Sequence, residues 1–264
     1  MSIEPNPSTL AILHRETHGK LRLNRSAPDY GFARDSVTVA LTSGEVPAAC
    51  TEYPCVMARQ PDGSLSLLAV TGLQAGHNLF VGPSGAWLGQ YLPSTLATWP
   101  FRLVRESDEG KFFVAVQPQA LNASVGDPLF NDQGEESPWL LERLRQLTET
   151  DAGLQETAQQ LALLDAAKLL TERSMQAILA DGRDVELNGF MTVDEARLQT
   201  LDEKTLHQLH TSGALSLAYL HLLSLRRFRH LVARSGQSEA DVADVAHVSG
   251  ASETAAKPAR KAAA

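Results

Sequence analysis

The chain has 264 residues, of which 43% are hydrophobic and 20% charged, and its formal net charge is −8. This composition is typical of a globular protein with enough apolar residues for a sizeable core. The acidic balance disfavours a nucleic-acid-binding protein, because such a protein needs a basic surface to displace the counterions of the phosphate backbone.

The sequence also predicts a compartment. No apolar segment approaches the ~20 residues that span a bilayer. No positively charged segment precedes the first short apolar patch, which disfavours a signal peptide. The sequence therefore predicts a cytoplasmic protein, in which Cys50 and Cys55 are expected to be reduced, partly buried thiols.

The first half of the chain, from about residue 36 to 117, has the pattern of short strands separated by turn residues. The candidate strands cover 36–42, 54–59, 64–70, 78–81, 86–88, 101–106 and 111–116. Such closely spaced hairpins predict an antiparallel sheet, since parallel neighbours need crossovers of a dozen or more residues. Two segments, 44–53 and 89–99, are predicted to form short helices on its flank.

The stretch "GHNLFVGPSGAWLGQYLP" (76–93) contains the most glycine-rich part of this sheet region. A phosphate-binding P-loop would need a lysine after the last glycine, where this chain has Ala86 and Trp87. A nucleophile elbow would need G-x-S-x-G, which "GPSGA" does not match. The glycines therefore predict a hairpin turn. His77 and Asn78, with Tyr91 further on, are candidate ligand-binding residues; the alternative for the first two is a cap at the strand entry.

The second half is predicted to be mainly helical. Ser137 and Pro138 start a helix with an apolar stripe, and residues 151–153 leave open whether it is one kinked helix or two. Residues 173–193 predict a β-hairpin with its turn at Asp181–Gly182. Residues 194–234 are predicted helical with a break near Ser212–Gly213, and the segment 214–225 is apolar on nearly every side, which predicts burial.

Two clusters in the last helices are candidate sites. Glu203, His207 and His210 share one face of a helix and could offer ligands to a divalent metal, but no further ligand converges in the sequence, so we expect no metal there. Arg226, Arg227, Phe228 and Arg229 are candidate partner-binding residues, because arginine and aromatic side chains are frequent in interface hot spots. The alternative is that the apolar stripe of Phe228, Leu231 and Val232 completes the core.

Several motifs in order resemble the SapC family of bacterial proteins. They are "YGFARD", "EVPAACTEYPCVMA", "VTGLQAGHNLF", "WLGQYLPSTLATWPF", "GDPLFNDQGE" and the segment "LADGRDVELNGFMTVDEARLQTLDEKTLHQLHTSGALSLAYLHLLSL". The resemblance runs from about His18 to Leu231; Trp99 and Asn131 depart from its pattern. The family's name implies a link to surface-layer proteins and their export, but no activity, cofactor or catalytic residue. Some relatives are labelled as permeases, a label that a chain without apolar spans should not receive.

Together these observations predict an α+β fold: an N-terminal antiparallel β-sheet with short helices, packed against a helical C-terminal half that contains an additional β-hairpin. Residues 1–233 are expected to form one domain, and 234–264 a disordered Ala/Ser-rich tail. The predicted function is that of a cytoplasmic accessory protein that binds another protein, without a cofactor. The alternative is an enzyme that uses His77, Asn78 and Tyr91, or Glu203, His207 and His210.

Overall fold

The structure is a computed structural model that describes residues 10–26, 28–105, 112–179 and 182–235. In the described residues the helices are α1 (Arg15–His18), α2 (Val46–Ala49), α3 (Ser94–Ala97), α4 (Pro138–Ala166), α5 (Glu195–Leu198), α6 (Glu203–Thr211), α7 (Ala214–Ser224) and α8 (Phe228–Ser235). The strands are β1 (Ala11–Ile12), β2 (Arg22–Leu23), β3 (Thr38–Ala40), β4 (Cys55–Arg59), β5 (Leu65–Val70), β6 (Phe101–Arg105), β7 (Phe112–Val116), β8 (Leu121–Asn122), β9 (Asp127–Pro128), β10 (Leu170–Ile178) and β11 (Asp184–Val193). Short 3-10 turns cover Gly31–Ala33, Ser43–Glu45, Pro118–Ala120 and Leu225–Arg227.

The central feature is a five-stranded sheet in the order β10-β11-β4-β5-β3. All of its neighbouring strands are antiparallel, and β4 and β5 form the predicted hairpin, in which Gly63 has a φ of 85°. The β10–β11 hairpin adds to the edge of this sheet, where Met191 lies opposite Met57. The predicted α+β class is confirmed, and the additional hairpin completes the N-terminal sheet.

Two smaller sheets flank the central one, with strand orders β1-β7-β6 and β8-β2-β9. The predicted strands at 78–81 and 86–88 do not form: a single bridge pairs Val81 with Trp87. Phe80 is buried in the main apolar cluster and Val81 in a small separate one, whereas Leu88 is 52% exposed. The residues between the predicted strands 101–106 and 111–116, Asp181 of the second hairpin turn, and the tail from residue 236 all lie outside the described residues.

Helix α4 runs without interruption for 29 residues. It begins at Pro138 after Ser137, as predicted, but the Ser137 side chain makes no capping hydrogen bond and its Oγ is buried without a partner. Gly153, one of the residues that suggested a break, lies inside the helix where it approaches the main body closely. A Cβ at this position would lie 2.9 Å from Cγ2 of Thr42. The glycine therefore permits close packing and does not end the helix.

The same helix contributes to two apolar clusters. Leu161 and Leu164 are fully buried in the main cluster beneath the central sheet. Leu140 and Leu147 belong to a second cluster that includes strands β6 and β7. Burying a leucine side chain stabilises a fold by roughly 1.5–3 kcal/mol, so packing in both clusters stabilises α4. The helix also fixes the position of one cluster relative to the other.

The last helices cover the central sheet. Gly213 has a left-handed φ of 79° and separates α6 from α7, which confirms the predicted break. Helix α8 continues to Ser235, two residues beyond the predicted end of the domain. None of the helices in the described part of the chain is long and apolar enough to cross a membrane.

Candidate functional site

The glycine-rich stretch forms the predicted turn. The N–H of Gly82 donates to Ala86 O at 2.9 Å, and the N–H of Gly85 donates to Gly82 O at 2.9 Å. Arg34 Nη2 donates to the carbonyls of Gly82 and Pro83 at 3.0 and 3.2 Å. Because these carbonyls point toward a guanidinium, the turn does not present a ring of N–H donors to a phosphate.

Asn78 is buried, and both ends of its side chain bond to the backbone. Its Nδ2 donates to Ala33 O at 3.0 Å, and its Oδ1 accepts from Phe80 N at 2.9 Å. The second bond closes an Asx turn, a local role that asparagine performs often. The side chain of Asn78 therefore holds the backbone locally, although the strand that it was expected to cap does not form.

His77 is exposed and lines a cavity of about 310 Å³. The other lining residues are Leu73, Gln74, Leu79, Leu179, Arg183 and Ser235. Of the three candidate ligand-binding residues, His77 lines this cavity and neither Asn78 nor Tyr91 does.

Tyr91 belongs to a hydrogen-bonded cluster around two carboxylates. Its hydroxyl donates to Glu45 Oε1 at 2.8 Å, and its N–H donates to Glu52 Oε2 at 2.8 Å. Burial, together with the nearby negative charge of Glu45, raises the pKa of the Tyr91 phenol. The phenol therefore stays protonated and donates a hydrogen bond to Glu45, and it is poorly suited to act as a base.

The Glu45 carboxylate holds two separate segments together. It accepts from Thr42 N at 2.8 Å, which is its part of a capping box at the 3-10 turn before α2, and from Thr42 Oγ1 at 2.9 Å. It also accepts from Ser94 N at 2.6 Å and Ser94 Oγ at 2.9 Å at the start of α3. Glu45 thus organises the two short helices that flank the sheet.

A second polar cluster lies inside the core, between α7 and the ends of two strands. Nδ1 of His221 lies 2.7 Å from Cys55 O, and its Nε2 lies 3.2 Å from Val193 N. The imidazole is therefore neutral, with a proton on Nδ1 that it donates to the carbonyl and a lone pair on Nε2 that accepts from the amide. Full burial lowers the pKa of His221 to about 4.

Ser224 completes this cluster. Its Oγ accepts from Cys55 N at 2.9 Å and donates to His221 O at 2.6 Å. Cys55 itself is a free, fully buried thiol whose pKa is raised by burial to about 12. A buried thiol that stays protonated is not an activated nucleophile. Both ring nitrogens of His221 already make hydrogen bonds to the backbone, so the imidazole is not free to act as its base.

The possible metal ligands lie on α6, where Glu203, His207 and His210 are all exposed. Among the described residues, no group of three or more His, Cys, Asp or Glu side chains is arranged to hold a metal ion. The expectation that this cluster binds no metal stays a prediction.

The candidate partner-binding residues separate into two environments. Arg226 and Arg229 are exposed and Arg227 is half-buried. Phe228 is only 5% exposed and packs against Phe190, with 5.9 Å between ring centroids. Leu231 and Val232 are buried as well. The apolar stripe therefore completes the core, and of the proposed set only the arginines face outward.

Helix α7 has an outward side that the sequence pattern did not indicate. Tyr219 and Leu223 are each 55% exposed, so the predicted burial of 214–225 holds for one side of the helix and not for this one. The two residues are four apart and share one helix face, and Arg226 follows three residues later. We call Tyr219, Leu223, Arg226, Arg227 and Arg229 the α7–α8 surface.

Charge is distributed unevenly around this surface. From Lys204 to Ser235 the chain contains no Asp or Glu, although its formal net charge is −8. Arg234, which follows the surface, has its guanidinium 4.2 Å above the Phe80 ring and donates from Nε to Leu79 O at 3.0 Å. The segment 204–235 thus contains no acidic residue and carries two large exposed side chains, Tyr219 and Leu223.

Sequence reasoning missed the structural roles of His221, Ser224 and Glu45. The signal for the first two was present: a histidine and a serine three residues apart in an otherwise apolar helix indicate a buried polar cluster. For Glu45 the capping-box spacing from Thr42 was the available signal. Its contact with Ser94 depends on the fold and has no local pattern.

The architecture defines an α+β protein whose motif residues mostly hold segments of the fold together. The SapC family model matches residues 13–231, and the chain therefore belongs to the SapC family. No curated protein and no solved structure gave a significant match.

Proposed function

We propose that this chain is a non-catalytic binding protein that acts by contact with another protein through its α7–α8 surface. The observation that carries the proposal is the exposure of Tyr219 and Leu223, each 55% accessible, next to exposed arginines. Large apolar side chains grouped on a protein surface are a feature of interaction sites. Tyrosine and arginine are also among the residues most enriched in hot spots.

The charge of the surface indicates the kind of partner. The segment 204–235 has basic residues and no acid, so an approaching acidic protein surface would meet no like charge on it. The rest of the chain is acidic, which disfavours broad adhesion to nucleic acid. Handling of surface-layer proteins, the role implied by the family resemblance, is one form that such contact would take.

The engagement of the candidate catalytic residues supports the same proposal. Tyr91 donates to Glu45, and the side-chain nitrogen and oxygen of Asn78 both bond to the backbone. His221 accepts and donates within the core. Two of the candidate catalytic residues, Asn78 and Tyr91, are thus committed to holding the fold, whereas the α7–α8 surface offers its side chains to a partner.

A pair of matched variants tests the proposal. The test variant carries Leu223→Ser with Arg226→Ser, and the control carries Leu141→Ser with Arg15→Ser. Leu141 is 54% exposed and Arg15 is also exposed, so each variant removes one exposed leucine and one exposed arginine. Proteins cross-linked in cells to the wild type are identified first, and binding of each purified partner is then measured for both variants.

We expect the test variant to weaken partner binding by about tenfold or more, as loss of a hot-spot residue commonly does. The control variant should bind like the wild type. Equal binding by both variants would place the contact elsewhere. A wild type that cross-links to no protein, but converts a metabolite in an untargeted screen, would refute the binding function itself.

A further inference from the structure

Strand β10 forms one edge of the central sheet. It is the first strand in the order β10-β11-β4-β5-β3, so β11 is its single neighbour among the described strands. It spans nine residues, Leu170–Ile178, without a proline or a glycine. A long regular edge presents unpaired N–H and C=O groups, and natural sheets usually shorten, bend or cover such an edge. Strand β10 is therefore a template on which another strand can pair.

The irregularity of the β10–β11 hairpin lies on β11. The register shifts between Arg173 and Met175, where β10 has one residue, Ser174, and β11 has the two residues 188–189. The second of these, Gly189, has a left-handed φ of 75°. A bulge often protects an edge strand by bending it, but here the extra residue belongs to the inner strand and β10 keeps its regular alternation.

The hydrogen bonds at its two ends show which backbone groups of β10 point outward. Asp194 N–H donates to Leu169 O at 2.8 Å just before the strand, and Leu179 N–H donates to Arg183 O at 2.9 Å just after it. Because backbone groups alternate between the two edges of a strand, the odd-numbered residues of β10 bond β11. The outward residues are Leu170, Glu172, Ser174, Gln176 and Ile178. In the described part of the chain, none of them makes a backbone bond outside the ladders.

From this arrangement we propose that β10 pairs with β10 of a second copy of this chain, antiparallel and centred on Ser174. The pairing joins the two five-stranded sheets into one continuous sheet. Each outward residue then lies opposite another outward residue: Ser174 opposite Ser174, Glu172 opposite Gln176, and Leu170 opposite Ile178. Each of these pairs exchanges two backbone bonds, so about ten hydrogen bonds cross the interface.

The neighbouring symmetric registers fit less well. A centre at Arg173 leaves Ile178 without a partner and places two guanidinium groups directly opposite each other, which is destabilising. A centre at Met175 leaves Leu170 without a partner. The centre at Ser174 uses the whole strand, places Arg173 opposite Met175, and makes the two arginines diagonal neighbours, roughly 7–8 Å apart.

The side chains on the outer face of β10 match in the same register. Ile178 is 58% exposed and gains an apolar neighbour in Leu170 of the second copy. Gln176 Nε2 donates to Glu186 Oε1 at 3.5 Å within its own chain, which leaves its second hydrogen for Glu172 of the second copy. The amide therefore separates the two carboxylates, and no like charges lie directly opposite each other.

Ser174→Cys tests the contact and the register together. In a hydrogen-bonded antiparallel pair the two Cα atoms are about 5.5 Å apart, which suits a disulfide. We expect this variant to form a covalent dimer with a mild thiol oxidant. The native thiols of Cys50 and Cys55 are buried, so the wild type should give little product. Ser84→Cys, at an exposed turn position, measures chance collision.

Two further cysteine variants check the register. Glu172→Cys and Gln176→Cys should each cross-link poorly alone, because neither residue lies opposite itself. A mixture of the two should cross-link well, because these positions are opposite each other in the proposed pairing. Efficient cross-linking of either variant alone, with none in the mixture, would contradict the register.

Analytical ultracentrifugation of the full-length protein tests the dimer without a cross-link. Nine residues a side are fewer than the roughly 20–30 of a standard interface, so we expect a Kd on the order of 10 μM. Gln176→Pro removes an outward N–H and spares the ladder with β11. It should weaken dimerisation at least about tenfold, whereas Gln176→Ala, which keeps the N–H, should dimerise. Circular dichroism checks that both variants fold.

Several results would overturn the proposal. One is a wild type that remains monomeric up to about 300 μM; another is Ser174→Cys that cross-links no faster than Ser84→Cys. A dimer that is lost with Leu223→Ser and Arg226→Ser but persists in Gln176→Pro would place self-association on the α7–α8 surface. Dimerisation only of a chain that ends at Ser235 would mean that the residues beyond it occupy the edge.

Discussion

The imidazole of His221 is neutral in the fold and becomes a cation readily only when the chain unfolds. Its pKa falls from 6.5 to about 4 because burial disfavours the charged form. Between these values the unfolded chain binds the proton and the folded chain does not, so the contribution of His221 to stability is present above pH 6.5 and is lost as the pH falls toward 4. The full difference amounts to about 3 kcal/mol.

We therefore predict that the free energy of unfolding falls more steeply with acid in the wild type than in His221→Gln. Urea titrations at several pH values from 7 to 4 measure this. The variant should be less stable at pH 7, because it disturbs two buried hydrogen bonds, but the gap should narrow as the pH falls. A gap that stays constant over this range would show that the imidazole titrates alike in both states.

Glu45 provides a second test at the residue scale. We predict that Glu45→Gln lowers the free energy of unfolding by about 2–4 kcal/mol, because an amide replaces a carboxylate that accepts from Thr42, Tyr91 and Ser94. In a protein of this size that corresponds to a fall in Tm of roughly 5–10 °C. Glu203→Gln, at an exposed position on α6, is the control and should leave the Tm nearly unchanged.

At the scale of elements, Gly153 decides how closely α4 approaches the turn before α2. An alanine in a helix interior is normally favoured over glycine by about 1 kcal/mol. Here the added Cβ would lie 2.9 Å from Cγ2 of Thr42, so we predict that Gly153→Ala destabilises the protein by about 1–2 kcal/mol. Chemical denaturation measures the change.

Thr42→Ser supplies the control, because serine keeps the hydroxyl that bonds Glu45 and removes the obstructing methyl. In that background Gly153→Ala should cost less, because only the approach to the Cβ of residue 42, at 3.1 Å, remains, so the two substitutions should couple in a double-mutant cycle. If Gly153→Ala instead stabilises the unmodified chain, helix propensity outweighs the contact and the close approach has no energetic importance.

The sequence was informative where a local pattern decides an element. The hairpin of β4 and β5 follows from apolar runs on either side of Pro61-Asp62-Gly63, and the start of α4 follows from Ser137-Pro138. The length of α4 was left open, because a glycine inside a helix looks the same in sequence as one that ends it. Only the position of Thr42 in space distinguishes the two cases.

The candidate site was harder to predict, because the exposure of a helix face depends on whether another element packs over it. Helix α7 is apolar nearly all round, a pattern typical of burial, yet no element of the described part of the chain covers Tyr219 and Leu223. His77 was identified as a candidate ligand-binding residue, but its neighbours in the cavity, Leu179 and Arg183, come from a hairpin about a hundred residues later. No spacing rule connects those two segments.

At the scale of the whole molecule, the C-terminal boundary can be measured. We predict that a chain ending at Ser235 has the same Tm as the full-length protein, in line with the expectation that the Ala/Ser-rich tail adds no packing. A chain ending at residue 233 should be less stable by about 1–2 kcal/mol, because it lacks the Arg234 guanidinium above Phe80 and its bond to Leu79 O. Thermal unfolding of the three chains compares them.

Two outcomes would contradict this prediction. A lower Tm for the chain ending at Ser235 would mean that residues beyond it pack on the body of the protein. An unchanged Tm for the chain ending at residue 233 would mean that the contact of Arg234 with Phe80 does not stabilise the fold.

The pairing of β4 with β11 has a consequence for synthesis. Strand β4 emerges from the ribosome early, but its sheet neighbour β11 and the His221 imidazole that accompanies it come much later; Cys55 and His221 are 166 residues apart. Until then, the open edge of the N-terminal sheet has no partner, and exposed strand edges are sites of aggregation. Folding of the central sheet is therefore completed after translation of α7, and a fragment that ends after β7 should need a chaperone or the separately supplied C-terminal half to remain monomeric.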